Sequence, residues 1–122
     1  MTTSELMIGD WVMCNGINLQ VAAITYQVGF RDDDDKIYWC SDDGLDRIDP
    51  IPLTSEILEK NGFKKTILSS GYNLYDFEHF IIKWEKDFGY WFGDGEYTID
   101  FNYVHQLQRL LNLCNIDKEI KL

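Results

Sequence analysis

The chain has 122 residues, 45% hydrophobic and 26% charged, long enough for one domain or two very small lobes and too apolar for a disordered polymer. Lys and Arg total 11 against 21 Asp and Glu, a net charge of −10. That balance argues against a direct grip on nucleic acid, which needs clustered cations to displace phosphate counterions, and from this length a large multi-domain enzyme is not expected.

The opening residues MTTSELMIGDWV carry neither a basic leader nor an apolar export segment, and no stretch has the length to span a bilayer. A cytoplasmic protein without membrane contact is expected. Cys14, Cys40 and Cys114 are odd in number and lack CxxC or Cys/His ligand spacing, so they are expected to be reduced, mostly buried thiols, with no disulfide, metal or cofactor.

In chain order, Asp10 to Cys14 is an apolar strand, and Asn15-Gly16 is the dipeptide favoured by a type I′ hairpin turn. Ile17 to Thr25 alternates, with Leu19, Val21 and Ala23 on one face. Further strands are expected at Tyr26 to Arg31 and Lys36 to Ser41, the latter with Ile37 and Trp39 facing away from Tyr38 and Cys40. About five short strands in the first 50 residues close most economically as a small Src-homology-3-like barrel. Pro50 and Pro52 end that register, and Thr54 is placed to cap a short helix over Ser55 to Lys60 that leaves through Asn61 and Gly62.

The remainder is predicted as a meander: Lys64 to Ser69, a turn through Ser70, Gly71 and Asn73, then Tyr75 to Glu85, Phe88 to Phe92 and Glu96 to Phe101. Phe80, Ile82 and Trp84 should share one face, as should Phe88, Tyr90 and Phe92, and then Tyr97, Ile99 and Phe101. Gly93, Asp94 and Gly95 supply a tight connection. Tyr103 to Asn115 changes to helical spacing, with Val104, Leu107, Leu110, Leu111 and Cys114 on one stripe covering the sheet. The fold class is therefore α+β, mainly antiparallel, with a barrel-like lobe over 1–50 and a short helix, meander and carboxy-terminal helix over 51–122.

Charge is concentrated. Residues 32–49 hold Asp32, Asp33, Asp34, Asp35, Asp42, Asp43, Asp46 and Asp49 against Lys36 and Arg47, so −6 of the total −10 lies there. A solvated hairpin loop is the plain explanation. The functional one is a surface that attracts a basic groove, since like charges on one face raise association rates with a cationic partner. The run fails the EF-hand pattern at its sixth and twelfth positions. Aromatics cluster too: 12 of 18 lie between Tyr72 and Tyr103, mostly as expected core, with Trp91 beside Tyr72 or Tyr75 as an exposed anchoring patch. His79, expected on a strand opposite Phe80, and His105, at the start of the final helix, have no partner at metal or nucleophile spacing. No nucleotide-binding, hydrolase or zinc-protease motif occurs, so no catalytic residues are expected.

Ile8 to Val12 (IGDWV), Pro50 to Thr54 (PIPLT), Ile57, Leu58, Gly62-Phe63 and Tyr103 to Leu107 (YVHQL) with Gln108 and Leu110 carry a resemblance. Together they resemble a family of small proteins of bacterial genomes, prophages and mobile elements that has no described chemistry. The likeness spans most of the chain, the acidic stretch at 32–49 being its departure. It implies a counter-defence protein of anti-CRISPR type. Such a protein binds a host partner with a basic surface, a nuclease or its RNA-guided complex such as a type VI effector; the charge and aromatic clusters, not the resemblance, give Asp32, Asp33, Asp34, Asp35, Asp42, Asp43, Asp46, Asp49 and Trp91 as the expected contacts. A structural or assembly accessory protein of a phage or element is the alternative. The sequence does not set the oligomeric state.

Overall fold

Asn15 and Gly16 turn the chain as their composition dictates: in the computed structural model both are left-handed, at φ 50° and 79°, the geometry a two-residue type I′ turn requires. The structure describes residues 1, 3–68, 71–93 and 98–122, without the side chains of Thr3 and Asp42. These residues form two compact units, 1–51 with 103–108 and 52–102 with 109–122.

In the first unit, β1 (Trp11–Cys14), β2 (Ile17–Ile24), β3 (Val28–Arg31), β4 (Ile37–Cys40) and β5 (Ile48–Pro50) make an antiparallel sheet in the order β4-β3-β2-β1-β5. A 3₁₀ helix, Asp42–Arg47, joins β4 to β5. This strand order, with a 3₁₀ turn before a last strand that pairs back onto the first, is that of a Src-homology-3-like barrel. The β2 alternation buries Leu19 and Val21, and a bulge between Val21 and Ala23 then shifts the register, leaving Ala23 half-buried.

Local chemistry explains the entry into β1. Gly9 sits at φ 96°, and the buried Asp10 carboxylate accepts the Met7 N–H at 2.8 Å. The Gly9 N–H donates to Val21 O at 2.8 Å, while Asp10 O accepts the Val21 N–H at 2.9 Å. The turn is thereby stitched to β2. Leu6, Val12, Val21, Phe30, Leu45 and Ile48 meet in this unit's core, and after β5 the buried Ile51 accepts the Val104 N–H on its carbonyl at 2.9 Å.

The second unit opens with α1 (Ser55–Lys60), capped by the Thr54 hydroxyl accepting the Ile57 N–H at 3.2 Å. Gly62, at φ 89°, ends it: the Phe63 N–H reaches Leu58 O at 3.0 Å and the Gly62 N–H reaches Glu59 O at 3.1 Å, the two bonds of a Schellman motif. The buried Asn61 adds a distant role, because its side chain donates to Ile57 O at 2.7 Å and Lys121 O at 2.8 Å and accepts the Lys121 N–H at 2.8 Å. That clamp holds the carboxy-terminal segment beside the fully buried Ile120.

The meander is β6 (Lys64–Ile67), β7 (Tyr72–Phe77), β8 (Phe80–Glu85), β9 (Gly89–Gly93) and β10 (Thr98–Phe101), paired in sequence order. The expected single strand Tyr75 to Glu85 is two strands. Glu78 and His79 turn between them at φ 48° and 72°, a hairpin without the usual glycine, and the His79 N–H is held by Asp76 Oδ1 at 3.2 Å. His79 therefore belongs to a turn rather than a strand. Phe80 and Ile82 are buried as expected, whereas Phe88 lies in the turn before β9 and is 71% exposed, so it does not share a face with Tyr90 and Phe92. Ile99 is likewise exposed while Phe101 is buried. Ser69 and Ser70, and Asp94, Gly95, Glu96 and Tyr97, where the tight connection and part of the last strand were expected, lie outside the described residues.

Helix α2 (Val104–Leu113) buries Val104, Leu107, Leu110 and Leu111. Its start is fixed by Gln106, whose Oε1 accepts the Tyr103 N–H at 3.2 Å, the returning half of a capping box. It stops earlier than the periodicity predicts. Asn115 at φ 57° and the Ile116 N–H on Leu111 O at 2.9 Å close the helix, leaving Cys114 exposed rather than on the apolar stripe, while Cys14 and Cys40 are half-buried. No helix among the described residues is long and apolar enough to cross a membrane.

Candidate docking site

The four consecutive aspartates are not equivalent. Asp32 builds the β3–β4 turn: its carboxylate accepts the backbone N–H of Asp34 at 2.9 Å and of Lys36 at 3.0 Å, and its own N–H donates to Lys36 O at 3.0 Å. The Lys36 N–H chiefly, with the Asp34 N–H and the Tyr38 hydroxyl, holds the Asp32 carboxyl below the usual carboxylate range. Asp33 and Asp34 stand exposed at the tip. Asp35, left-handed at φ 61°, has one oxygen 3.9 Å from Arg31 Nε, an exposed pairing that contributes little.

Asp43 and Asp46 project from the 3₁₀ helix and Asp49 from β5, all exposed; the side chain of Asp42 lies outside the described residues. What pins this acidic segment is Leu45, the one apolar side chain in DDGLDR, which is 2% exposed. Asp42–Arg47 is thus a helical turn rather than the hairpin loop that its charge suggests, while residues 32–36 are the solvated hairpin turn expected.

Two cavities of the first unit adjoin it. The first, of about 390 Å³, has an apolar lining that includes Cys14, Ile17, Leu19, Phe30, Cys40 and Ile48, with Asn15, Asp32, Tyr38 and Arg47 as its polar members. Tyr38 and Cys40 line it together, as their shared strand face predicts, while Trp39 points the other way. A Cβ on Gly29 would lie 3.1 Å from the Trp39 ring. The second, of about 400 Å³, is mixed: Glu5, Asp46 and Asp49 line it, together with Pro50, Tyr103, the buried His105 and Met1, whose α-amino group donates to Leu45 O at 3.1 Å and Ile48 O at 3.3 Å. Ile48 borders both cavities. The Tyr103 and His105 rings stack at 6.0 Å.

Of the expected site residues, Asp32, Asp46 and Asp49 thus border cavities, whereas Asp33, Asp34, Asp35 and Asp43 line neither. Trp91 is in the second unit, on β9, half-buried under the Lys83 ammonium at 4.6 Å from its ring. Of its expected companions, Tyr75 is core, 1% exposed and donating its hydroxyl to Ser55 Oγ at 2.9 Å, and Tyr72 is half-buried. Trp91 lines a shallow hollow of about 300 Å³ with Glu85, Phe88, Thr98 and Asp100. Tyr38, Arg47, Glu5 and the cavity walls were missed by reasoning from charge alone; strand alternation was the signal that locates Tyr38.

Among the described residues, no group of three or more His, Cys, Asp or Glu stands close enough together to hold a metal ion. Searches of family models, curated proteins and solved structures find no match to this chain.

Proposed function

We propose that the first unit is a docking module for a basic protein surface, and that the partner is a nucleic-acid-handling enzyme, a nuclease or its RNA-guided complex, which the protein inhibits. The observation that carries this reading is the placement of the acidic segment: exposed carboxylates on a rigid turn and a 3₁₀ helix, beside a cavity with an apolar lining. Nucleases hold their substrate in positively charged channels, and a fixed array of carboxylates competes for the same cations. The resemblance to mobile-element proteins supports the same partner class.

The test is a reconstituted RNA-guided nuclease reaction, type VI effectors first, titrated with this protein at low and high salt. Inhibition that weakens steeply with salt and falls on replacing Asp33, Asp34, Asp43 and Asp46 with Asn is expected. Undiminished cleavage across RNA-guided and restriction nucleases overturns the nuclease reading. One observation favours the accessory-protein reading instead: both outer strands of the second sheet carry exposed isoleucines, Ile67 and Ile99. Concentration-dependent self-association by light scattering, lost on Ile67→Lys and Ile99→Lys, would support that alternative.

A further inference from the structure

The second sheet carries an indole in open surroundings, on the face opposite its buried Tyr75, Ile82 and Tyr90. On β9, Gly89, Trp91 and Gly93 alternate to that face, so Trp91 is the only side chain this strand presents there. Gly89 stays bare, because its φ of 78° is left-handed and a Cβ would meet Asn102 Oδ1 at 2.5 Å. Register then fixes the neighbours: Lys83 and Asp100 lie directly opposite Trp91, Glu85 opposite Gly89 and Thr98 opposite Gly93. Opposed side chains of antiparallel strands share a face, about 4.5–5.5 Å apart at Cβ, with diagonal neighbours at about 7–8 Å. Glu85, Thr98 and Asp100 accordingly join Trp91 and the 71% exposed Phe88 around the hollow of about 300 Å³, whose lining omits Lys83. We propose that this hollow receives an arginine side chain of a protein partner, its guanidinium lying on the Trp91 indole and its N–H groups donating to Asp100 or Glu85. The inference concerns the second unit and goes beyond the docking reading, which concerns the first.

Three observations select that occupant. The indole already attracts a cation, since the Lys83 ammonium lies 4.6 Å from the ring centroid. Lys83 nevertheless neutralises neither carboxylate: Glu85 and Asp100 have no side-chain hydrogen bond or ion pair among the described residues, and no cation lines the hollow. Phe88, finally, serves the turn through its backbone alone. Its N–H closes the turn on Glu85 O at 3.1 Å and Gly89 supplies the left-handed residue, which leaves the ring free as a second wall. A flat, delocalised cation meets both demands of such a site, stacking on an aromatic face and hydrogen-bonding a carboxylate with its fork of donors, whereas an ammonium is a point charge. The arginine must be part of a chain. The α-carboxylate of free arginine has no cation to meet in the lining and is repelled by Glu85 and Asp100.

The test titrates the full chain with N-acetyl-arginine methylamide and with its lysine and citrulline counterparts at physiological salt, following amide and indole N–H resonances by NMR. Expected are shifts centred on the Trp91 indole and on Phe88, Thr98 and Asp100, saturating at millimolar concentration, with citrulline about tenfold weaker and lysine between the two. Trp91→Leu, and separately Glu85→Gln with Asp100→Asn, should each weaken arginine binding about tenfold. The titration of the unmodified protein reads the site whether or not these variants fold. Equal affinity for the arginine and citrulline compounds, shifts spread over the acidic residues of the whole chain without saturation, or no shifts at all overturns the arginine site. Free arginine binding more tightly than the blocked form overturns the assignment to a protein partner. Replacing Asp33, Asp34, Asp43 and Asp46 with Asn, which should abolish nuclease inhibition, should leave the shifts in place, so either proposal can fail without the other; their loss in that variant overturns the assignment to this hollow.

Discussion

Asn61→Ala tests whether one side chain couples the end of α1 to the carboxy-terminal segment. Its three side-chain hydrogen bonds, to Ile57 O and to both backbone groups of Lys121, are each worth about 1 kcal/mol net, giving a ceiling of about 3 kcal/mol. The true loss should be near 2 kcal/mol if the tail stays docked, because Ile57 O keeps the Asn61 backbone N–H at 3.2 Å and the exposed Lys121 regains water. If Ile120 instead leaves its fully buried site, lost apolar burial adds about 2 kcal/mol more. Urea unfolding of the full chain and of a chain ending at Glu119, each with and without the substitution, separates these cases. The clamp requires strong non-additivity: in the shortened chain Asn61→Ala should cost about 1 kcal/mol, the Ile57 bond alone. Equal costs in both backgrounds, or a full-chain cost below about 0.5 kcal/mol, refute the coupling.

Glu78→Asn with His79→Gly should stabilise the second unit by about 1 kcal/mol and raise Tm by a few degrees, since left-handed backbone costs roughly that much at a residue with a Cβ; an unchanged or lower Tm in a thermal scan contradicts the turn. Tyr90 supplies a pH test: burial first, then Tyr75 and Glu56, push its hydroxyl up to about 12, whereas an unfolded tyrosine loses its proton near 10. Stability from this residue is therefore complete below about pH 10 and falls as pH rises through the interval to about 12. Urea titrations across that interval should show a shallower decline for Tyr90→Phe than for the parent, and parallel curves would exclude the effect.

Much of the fold was legible because the signals are local. Asn15-Gly16 dictates its own backbone, Thr54 caps whatever helix follows, and the Val104, Leu107, Leu110, Leu111 spacing admits a single face. The misses share a different cause. Glu78-His79 turns because the strands on either side pair with each other, not because either residue favours it. Asn61 reads as an ordinary helix exit, and nothing near it announces a partner at Lys121. Within the acidic run the sequence supplies the charge, but Leu45 becomes an anchor only once a core exists to receive it. The candidate site was half visible for the same reason: charge marks a segment, whereas a cavity is made by residues from five strands' worth of separate sequence.

The Asp32 turn has a thermodynamic meaning for any partner. A disordered polyaspartate tail surrenders its chain entropy when it is captured, whereas Asp33, Asp34 and Asp35 are already carried on a turn closed by four hydrogen bonds to or from Asp32 and Lys36. Preorganisation of this kind makes the position of Asp32 intolerant of charge-neutral apolar replacement while its neighbours stay exchangeable as charges. An asparagine preserves the acceptor and hence the turn, so Asp32→Asn separates shape from charge in a way that no change at Asp33 or Asp34 can.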